Sequence, residues 1–439
     1  MVYNSSVEDF RDDEYPNMAR GVSNLTRPYP SALLMPALTG AYLDHGGTTI
    51  YARSLITGFS QAMIGNLWGN PHSENLPARL SGEMVDSIRA KTLDFLGADP
   101  EHFDLVFVAN ATAAIKLVAD AFRDLGEKTP TKSFWYGCHR EAHTSLIGIR
   151  ALAAGDYHCF DDDEDVDEWI SRPFSCQTQK GKPPSLGLFA YPVAQLSPLQ
   201  DTRVMKKVPG IGNKYMSWDI HEGLEDGTLP FHSILALGIA IDTHLRLYGS
   251  MDTISRHCCY LARSLYEQLV DLKHRNGLPV IELYANDPAR YGDPSAQGPT
   301  FAFNIMREDG SYVPWTEVEK LANKAGVYIR AGGVCCPGGV AQALKYEEWE
   351  WDRIFSSGHA CGSTEMAVVH NKPTGIVRAS LGAMTIKRDI EAFVSFLQNE
   401  FIFKSIAMPL LMGSSNELPF KEPFLYSMRN VSDMEHIMS

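Results

Sequence analysis

Cysteine is scarce in this chain: there are eight among 439 residues, too few for a disulfide scaffold, and none is spaced as C-x-x-C. Positive charge is also in deficit. Lys and Arg number 39 against 53 Asp and Glu, for a formal net charge of −14, which argues against a partner with a phosphate backbone. No run approaches the ~20 apolar residues that a membrane-spanning helix needs. The N-terminal stretch MVYNSSVEDFRDDEYP is acidic and polar, unlike a secretory signal or an Arg-rich transit peptide. No internal repeat or low-complexity tract interrupts the chain. What is present is ordinary for a soluble globular protein, with 44% hydrophobic and 21% charged residues. The length allows two or three lobes with a large core, and a reducing, cytoplasmic enzyme is the expected setting.

Residues 1–40 carry Pro16, Pro28, Pro30 and Pro36 and read as an irregular arm. From 41 to about 269, strand, turn and helix recur. AYLDHGGTTIYA suggests a strand and a glycine turn, RLSGEMVDSIRAKTLDFLGA a helix closing on glycine, and DLVFVAN (104–110) a buried parallel strand. ATAAIKLVADAFRDLG follows as a helix, with SFWYGC and LGLFAYPV as further strands. This order predicts an α/β domain with a mostly parallel sheet. From about 270 to 404, PVIELYAND, PTFAFNIMRE and GVYIRAGG alternate with helices, which predicts a smaller α+β domain. Residues 405–439 have no clear period and read as a loose tail.

Several sites combine turn geometry with reactive side chains. In NATAAIKL (110–117) a strand gives way to a helix whose first N–H groups and dipole suit a phosphate near Thr112 and Ala113, although Asn and Thr at such a junction also serve as plain caps. His143, in GCHREAHTSLIGIR, is either a cap or a ring placed over a flat ligand. Gln195 follows an apolar strand, where its amide could bond a ligand or simply sit in a loop. Asp219 ends NKYMSWD, where a buried carboxylate needs a cationic partner, unless it caps the next residues. Thr228, in EDGT, is either a phosphate donor or part of a turn. Cys335 and Cys336 lie between glycines in YIRAGGVCCPGG, a setting in which a thiol can swing towards a substrate. Arg378, in GIVRASLG, suits a carboxylate or a surface ion pair. No metal-ligand set is assigned.

Taken in order, YLDHGGTTIY, GNPHSE, VFVANATAAIKLVADAF, HTSLIGIR, LFAYPVAQ, LEDGTLPFHSILAL, QGPTFAFNIMREDGS, EVEKLANKAGVYIRAGGVCCPGG, SGHAC and KPTGIVRASLG resemble the class V aminotransferase superfamily. Within it, the chain closely resembles the N-terminal domain of the molybdenum cofactor sulfurases, over roughly residues 41 to 396. The resemblance implies fold-type I architecture, a homodimer and pyridoxal 5'-phosphate as cofactor. It implies that the phosphate sits on Thr112 and Ala113, that His143 stacks on the ring, that Gln195 contacts the cofactor and that Asp219 pairs with the ring nitrogen. Thr228 would reach the phosphate bound by the other subunit. Arg378 would hold the carboxylate of L-cysteine, and Cys335 would take its sulfur as a persulfide, leaving alanine, for transfer to a small-molecule acceptor.

Three departures from the family's pattern follow. Only Ile220 to Leu224 separate Asp219 from Glu225, where the family carries a substantial segment with the Schiff-base lysine, and no lysine occurs from 220 to 272. Gly333 and Val340 stand where the family's cysteine loop has further cysteines. The family's C-terminal domain is not in this chain. The alternatives are a class V enzyme recruited to another small-molecule, secondary-metabolite pathway, a pseudoenzyme, and a truncated isoform or gene model that lost the lysine.

Overall fold

The computed structural model describes residues 2–18, 40–129, 132–153, 157–171, 186–191, 220–285, 290–356, 367–369 and 371–404. Gln195, Asp219, Cys361 and the tail 405–439 lie outside the described residues. In chain order the helices are α1 Ser6–Glu14, α2 Arg53–Gly65, α3 Leu76–Phe95, α4 Ala111–Gly126, α5 Thr144–Ile147, α6 Asp163–Ser171, α7 Ile220–Leu224, α8 Phe231–Tyr248, α9 Met251–Val270, α10 Trp315–Lys324, α11 Pro337–Ala343, α12 Glu348–Ser356 and α13 Lys387–Leu397. The strands are β1 Ala41–Tyr42, β2 Trp135–His139, β3 Tyr157–Phe160, β4 Gly187–Ala190, β5 Ile281–Tyr284, β6 Thr300–Ile305, β7 Val327–Tyr328, β8 Arg330–Gly332, β9 Val368–Val369, β10 Lys372–Pro373 and β11 Ile376–Ser380.

Two sheets organise these elements. β3-β2-β4 is parallel, with β2 in the middle and all five of its residues buried, as expected of a strand covered on both faces. α4 packs on this sheet through Ala119 and Phe122, against Phe134, Tyr136 and Cys138. The second sheet, β5-β6-β11-β8, is antiparallel and shares one core with α9, α10 and α13. Ala41 and Leu43, from the glycine-turn strand, belong to that same core, and Asp44 bridges to Ser380 of β11. The HGG turn is thereby tied to the strand that carries Arg378.

Helix ends follow local chemistry. Asn75, Asn110 and Ser250 each accept a hydrogen bond from a first-turn N–H of α3, α4 and α9, respectively. Gly97, at φ +65°, supplies the left-handed residue just past α3.

DLVFVAN does not form the expected strand: residues 103–108 carry no strand assignment. Its backbone groups bond side chains instead. Phe107 N–H donates to Glu225 Oε1 at 2.7 Å, and the Leu105 carbonyl accepts from Arg89. Arg89 and Glu225 form a buried bidentate pair at 2.8 and 3.0 Å. The run has strand composition, but among the described residues no strand pairs with it.

The N-terminal arm departs from the sequence reading in the same way, because its residues 6–14 are helical. Arg11 of α1 is fully buried. It bonds Asp389 at 2.6 Å and the Met18 carbonyl at 3.0 Å, while Asp389 also accepts from Ile386 N–H at the start of α13. Removing one partner strands a buried charge. Arg11→Ala is therefore expected to cost about 3–5 kcal/mol in denaturant unfolding, and an unchanged midpoint would show that the pair does not anchor the arm.

Candidate active site

Three turns meet beside the C-terminal end of β2. The first is the start of α4. Asn110 Oδ1 accepts from Ala113 N–H at 2.9 Å, so that N–H is already capped, while the N–H groups of Ala111 and Thr112 find no acceptor among the described residues. The second is the His143 turn. His143 Nδ1 accepts from Ser145 N–H at 3.1 Å, so His143 does cap a helix, and its ring is exposed with Nε2 turned away from that bond. Thr112 and Ser145 join the two turns through their hydroxyls at 2.8 Å.

The third is the cysteine loop. Thr144 N–H donates to the Cys335 carbonyl at 3.1 Å, which seats this loop on the His143 turn. The approach is close: a Cβ on Gly338 would lie 2.2 Å from the Arg140 carbonyl, so only glycine fits there. Val334 and Cys335 both have positive φ, +43° and +58°, a strained conformation for a β-branched residue and of the kind concentrated at functional sites.

The adjacent thiols differ. Cys336 is largely enclosed, and burial pushes its thiol up to about 11, which keeps it protonated as a donor to the Glu141 carbonyl at 2.8 Å. Cys335 faces a cation instead: Arg330 Nη2 lies 3.2 Å from its Sγ. Arg330 is the direct register partner of Arg378 across β8 and β11, so two guanidinium-bearing residues lie side by side behind the loop. The sequence reading missed Arg330; its only signal was a basic residue five positions before Cys335.

Arg378 is half-buried and engaged. Its Nη2 bonds Asp44 Oδ1 at 2.8 Å, while its Nε is buried without a partner among the described residues. Gly46 N–H donates to Ser380 Oγ at 2.8 Å, which fixes the HGG turn over the same strand. His45 packs against Gly382, and burial pushes its imidazole down to about 4, so it is neutral near pH 7. The sequence reading missed Asp44 as well, although it singled out the glycine turn around it.

Thr228 stands apart. It is exposed, beside Gly227, whose carbonyl meets His72 Nε2 of the GNPHSE turn at 3.2 Å, and no hydrogen bond among the described residues links it to the α4 cradle. A cavity of about 680 Å³ opens elsewhere, beside α3 and His221, and no candidate residue lines it.

No family model matches the chain. Solved structures do resemble it: an apo cysteine desulfurase from Thermococcus onnurineus NA1 (TM-score 0.55, 15% identity, covering 82% of this chain and 94% of that one). The cysteine desulfurase CsdA of Escherichia coli gives a TM-score of 0.53 at 14% identity, covering 85% of this chain and 96% of that one. A NifS-like protein of Rickettsia africae gives 0.52 at 14% identity, covering 82% and 98%. This is the fold-type I architecture of the class V, NifS-like cysteine desulfurases.

Sequence similarity narrows the class. The chain is 40% identical to a molybdenum cofactor sulfurase of Aspergillus niger over 83% of its own length and 53% of the relative's, and 36% identical to one of Chaetomium globosum over 90% and 57%. It is a homologue of the molybdenum cofactor sulfurases, and it spans about half the length of the curated relatives it matches. The first alignment runs over 438 positions yet uses 83% of a 439-residue chain, so the relative carries several dozen residues with no counterpart here. No helix of the described residues is long and apolar enough to cross a membrane.

Proposed function

We propose that this chain takes sulfur from L-cysteine as a persulfide on Cys335, with pyridoxal phosphate held without a covalent lysine bond. The observation that carries the reading is the seating of Cys335 on the His143 turn with Arg330 at its sulfur. Thr112, Ser145 and the free N–H groups at the start of α4 fit a phosphate, and the exposed His143 ring fits a flat ligand above it. The Ala113 N–H is taken by Asn110, so the phosphate would rest on Thr112, with Ala113 joining only if the cap yields. Gln195 and Asp219 are assigned their cofactor contacts by family resemblance. No lysine occurs from 220 to 272, where the family carries its Schiff-base lysine. When bound, the cofactor supplies an electron sink for the carbon side of the substrate.

The chain's own residues do the rest. Arg378 holds the substrate carboxylate through Nε, sharing its guanidinium with Asp44. Arg330, with Nη2 3.2 Å from Cys335 Sγ, holds that sulfur in line for attack. Cys335 attacks the substrate sulfur, the carbon–sulfur bond breaks with its electron pair left on carbon, and alanine departs after that carbon is protonated. Cys336 stays protonated and braces the loop. The acceptor of the sulfur is a small molecule in this reading.

The experiment supplies L-cysteine labelled at sulfur and maps the label on the protein. The expected result is label on Cys335, lost entirely in Cys335→Ser and retained in Cys361→Ser. Label on another cysteine with Cys335 unmodified would remove the assignment. A secondary-metabolite substrate or a non-catalytic role finds no specific support in these contacts.

A second copy of the chain fits α2, which buries none of its residues and exposes Ile56 and Ile64 near Leu67. A homodimer through this face is expected to become a monomer in Ile64→Glu by sedimentation; a wild-type monomer would dismiss it.

A further inference from the structure

Cys138 and Cys159 occupy neighbouring parallel strands at the same level. They are direct register partners of β2 and β3, so their side chains leave the same face of the sheet. Adjacent strands run about 4.8 Å apart, within the Cα separation that a disulfide spans, so a bond would need little backbone movement. The two thiols are free and hydrogen-bonded to each other. Their settings differ. Cys138 is buried in the core beneath α4, whereas Cys159 is exposed on β3. Burial alone would make Cys138 inert.

We propose that Cys138 and Cys159 form a redox-active dithiol site, in which Cys159 reacts first with a peroxide and Cys138 resolves it as an intramolecular disulfide. The hydrogen bond from Cys138 favours the Cys159 thiolate, and Arg140, just beyond β2, adds to this, so the Cys159 thiol is held below its usual range. The same bond pushes the Cys138 thiol up, which leaves it as the proton-bearing partner. Arg140 also pairs with Asp161 at 3.0 Å, so the cation is fixed beside β3.

The chemistry balances in two steps. Cys159 Sγ attacks one peroxide oxygen, the O–O bond breaks, and a sulfenic acid and the first water result. Cys138 Sγ then attacks Cys159 Sγ, the S–O bond breaks, and the hydroxide leaves with the Cys138 proton as the second water. The two thiols lose two electrons, and the peroxide gains them. The site is separate from the Cys335 loop, so this proposal does not depend on the sulfur-transfer reading. A bond here would fasten β3 to β2, the strand that leads directly into the His143 turn.

The test treats the full-length reduced chain with hydrogen peroxide, alkylates the remaining thiols and maps the peptides by mass spectrometry. The expected result is a Cys138–Cys159 cross-link, with loss of two free thiols, reversed by dithiothreitol. In Cys138→Ala the cross-link is expected to vanish and Cys159 to be captured by dimedone as the sulfenic acid. Peroxide that modifies Cys335 while Cys159 stays a free thiol would overturn the proposal. So would a wild-type Cys159 that oxidises without ever linking to Cys138.

Discussion

Borohydride treatment of the chain saturated with pyridoxal phosphate is expected to leave no lysine carrying the cofactor. An enzyme of this fold that anchors its cofactor covalently would give a single stoichiometric adduct and a visible absorption band. Here the stretch between Asp219 and Glu225 holds no lysine, and none follows until Lys273. That stretch is folded as α7, with His221 N–H donating to Asp104 at 2.8 Å and Glu225 locked to Arg89. Lys206, Lys207 and Lys214 precede the aspartate and lie outside the described residues. The cradle itself offers one nearby amine, that of Lys116, which is exposed four residues beyond Thr112 on the same face of α4. Mass spectrometry after reduction decides the matter: one stoichiometric adduct, on Lys116 or any other lysine, would overturn non-covalent binding.

The parts that the sequence disclosed are those governed by short-range rules. α3 and α4 carry a 3.6-residue apolar period and side-chain caps; β2 and β6 are short apolar runs between turn residues. The failures are tertiary. Residues 104–108 have a strand's composition, yet a strand exists only through a neighbour, and here Arg89 and Glu225 take its backbone groups. The acidic, polar stretch around Arg11 reads as part of an irregular arm, and it is the pairing with Asp389, far along the chain, that holds Arg11 buried.

The candidate site divides along the same line. Cys335, His143 and Thr112 stand out as residue types at glycine-rich or capped turns, and the structure links their turns through Ser145 and Thr144. Arg330 and Asp44 acquire their positions from long-range partners. Arg330 gains its place from the β8–β11 register, and Asp44 from an ion pair to a residue on the other side of the sequence. Neither pairing leaves a local signature.

Inserting a family-like segment between Asp219 and Leu224 is expected to bring covalent pyridoxal phosphate binding and to raise alanine and sulfide release from L-cysteine well above the unmodified chain. The groups around the gap are in place to receive it. Among the described residues the first N–H groups of α4 and Arg378 Nε have no partner, the His143 ring is exposed and Cys335 is seated beside Arg330. His143 caps a helix and Arg378 pairs with Asp44, but the Cys335 thiol and the Arg330 guanidinium beside it have no such structural duty, so gradual decay would be expected to erase them together with the lysine. Their presence beside one clean absence favours the loss of a discrete segment, in keeping with the residues that the curated relatives carry and this chain lacks. The run 104–108 supplies an independent structural readout. Its backbone groups now bond Arg89 and Glu225, and a restored neighbour would draw them into strand pairing, protecting the amides of Leu105 and Phe107 from hydrogen exchange. Protected amides and a covalent cofactor, but no alanine or sulfide from L-cysteine, would sink the sulfurase reading while leaving the fold intact. Unprotected amides and no covalent cofactor would show instead that the α7 turn, held by Asp104 and Arg89, is the chain's settled structure and that no strand is missing from it.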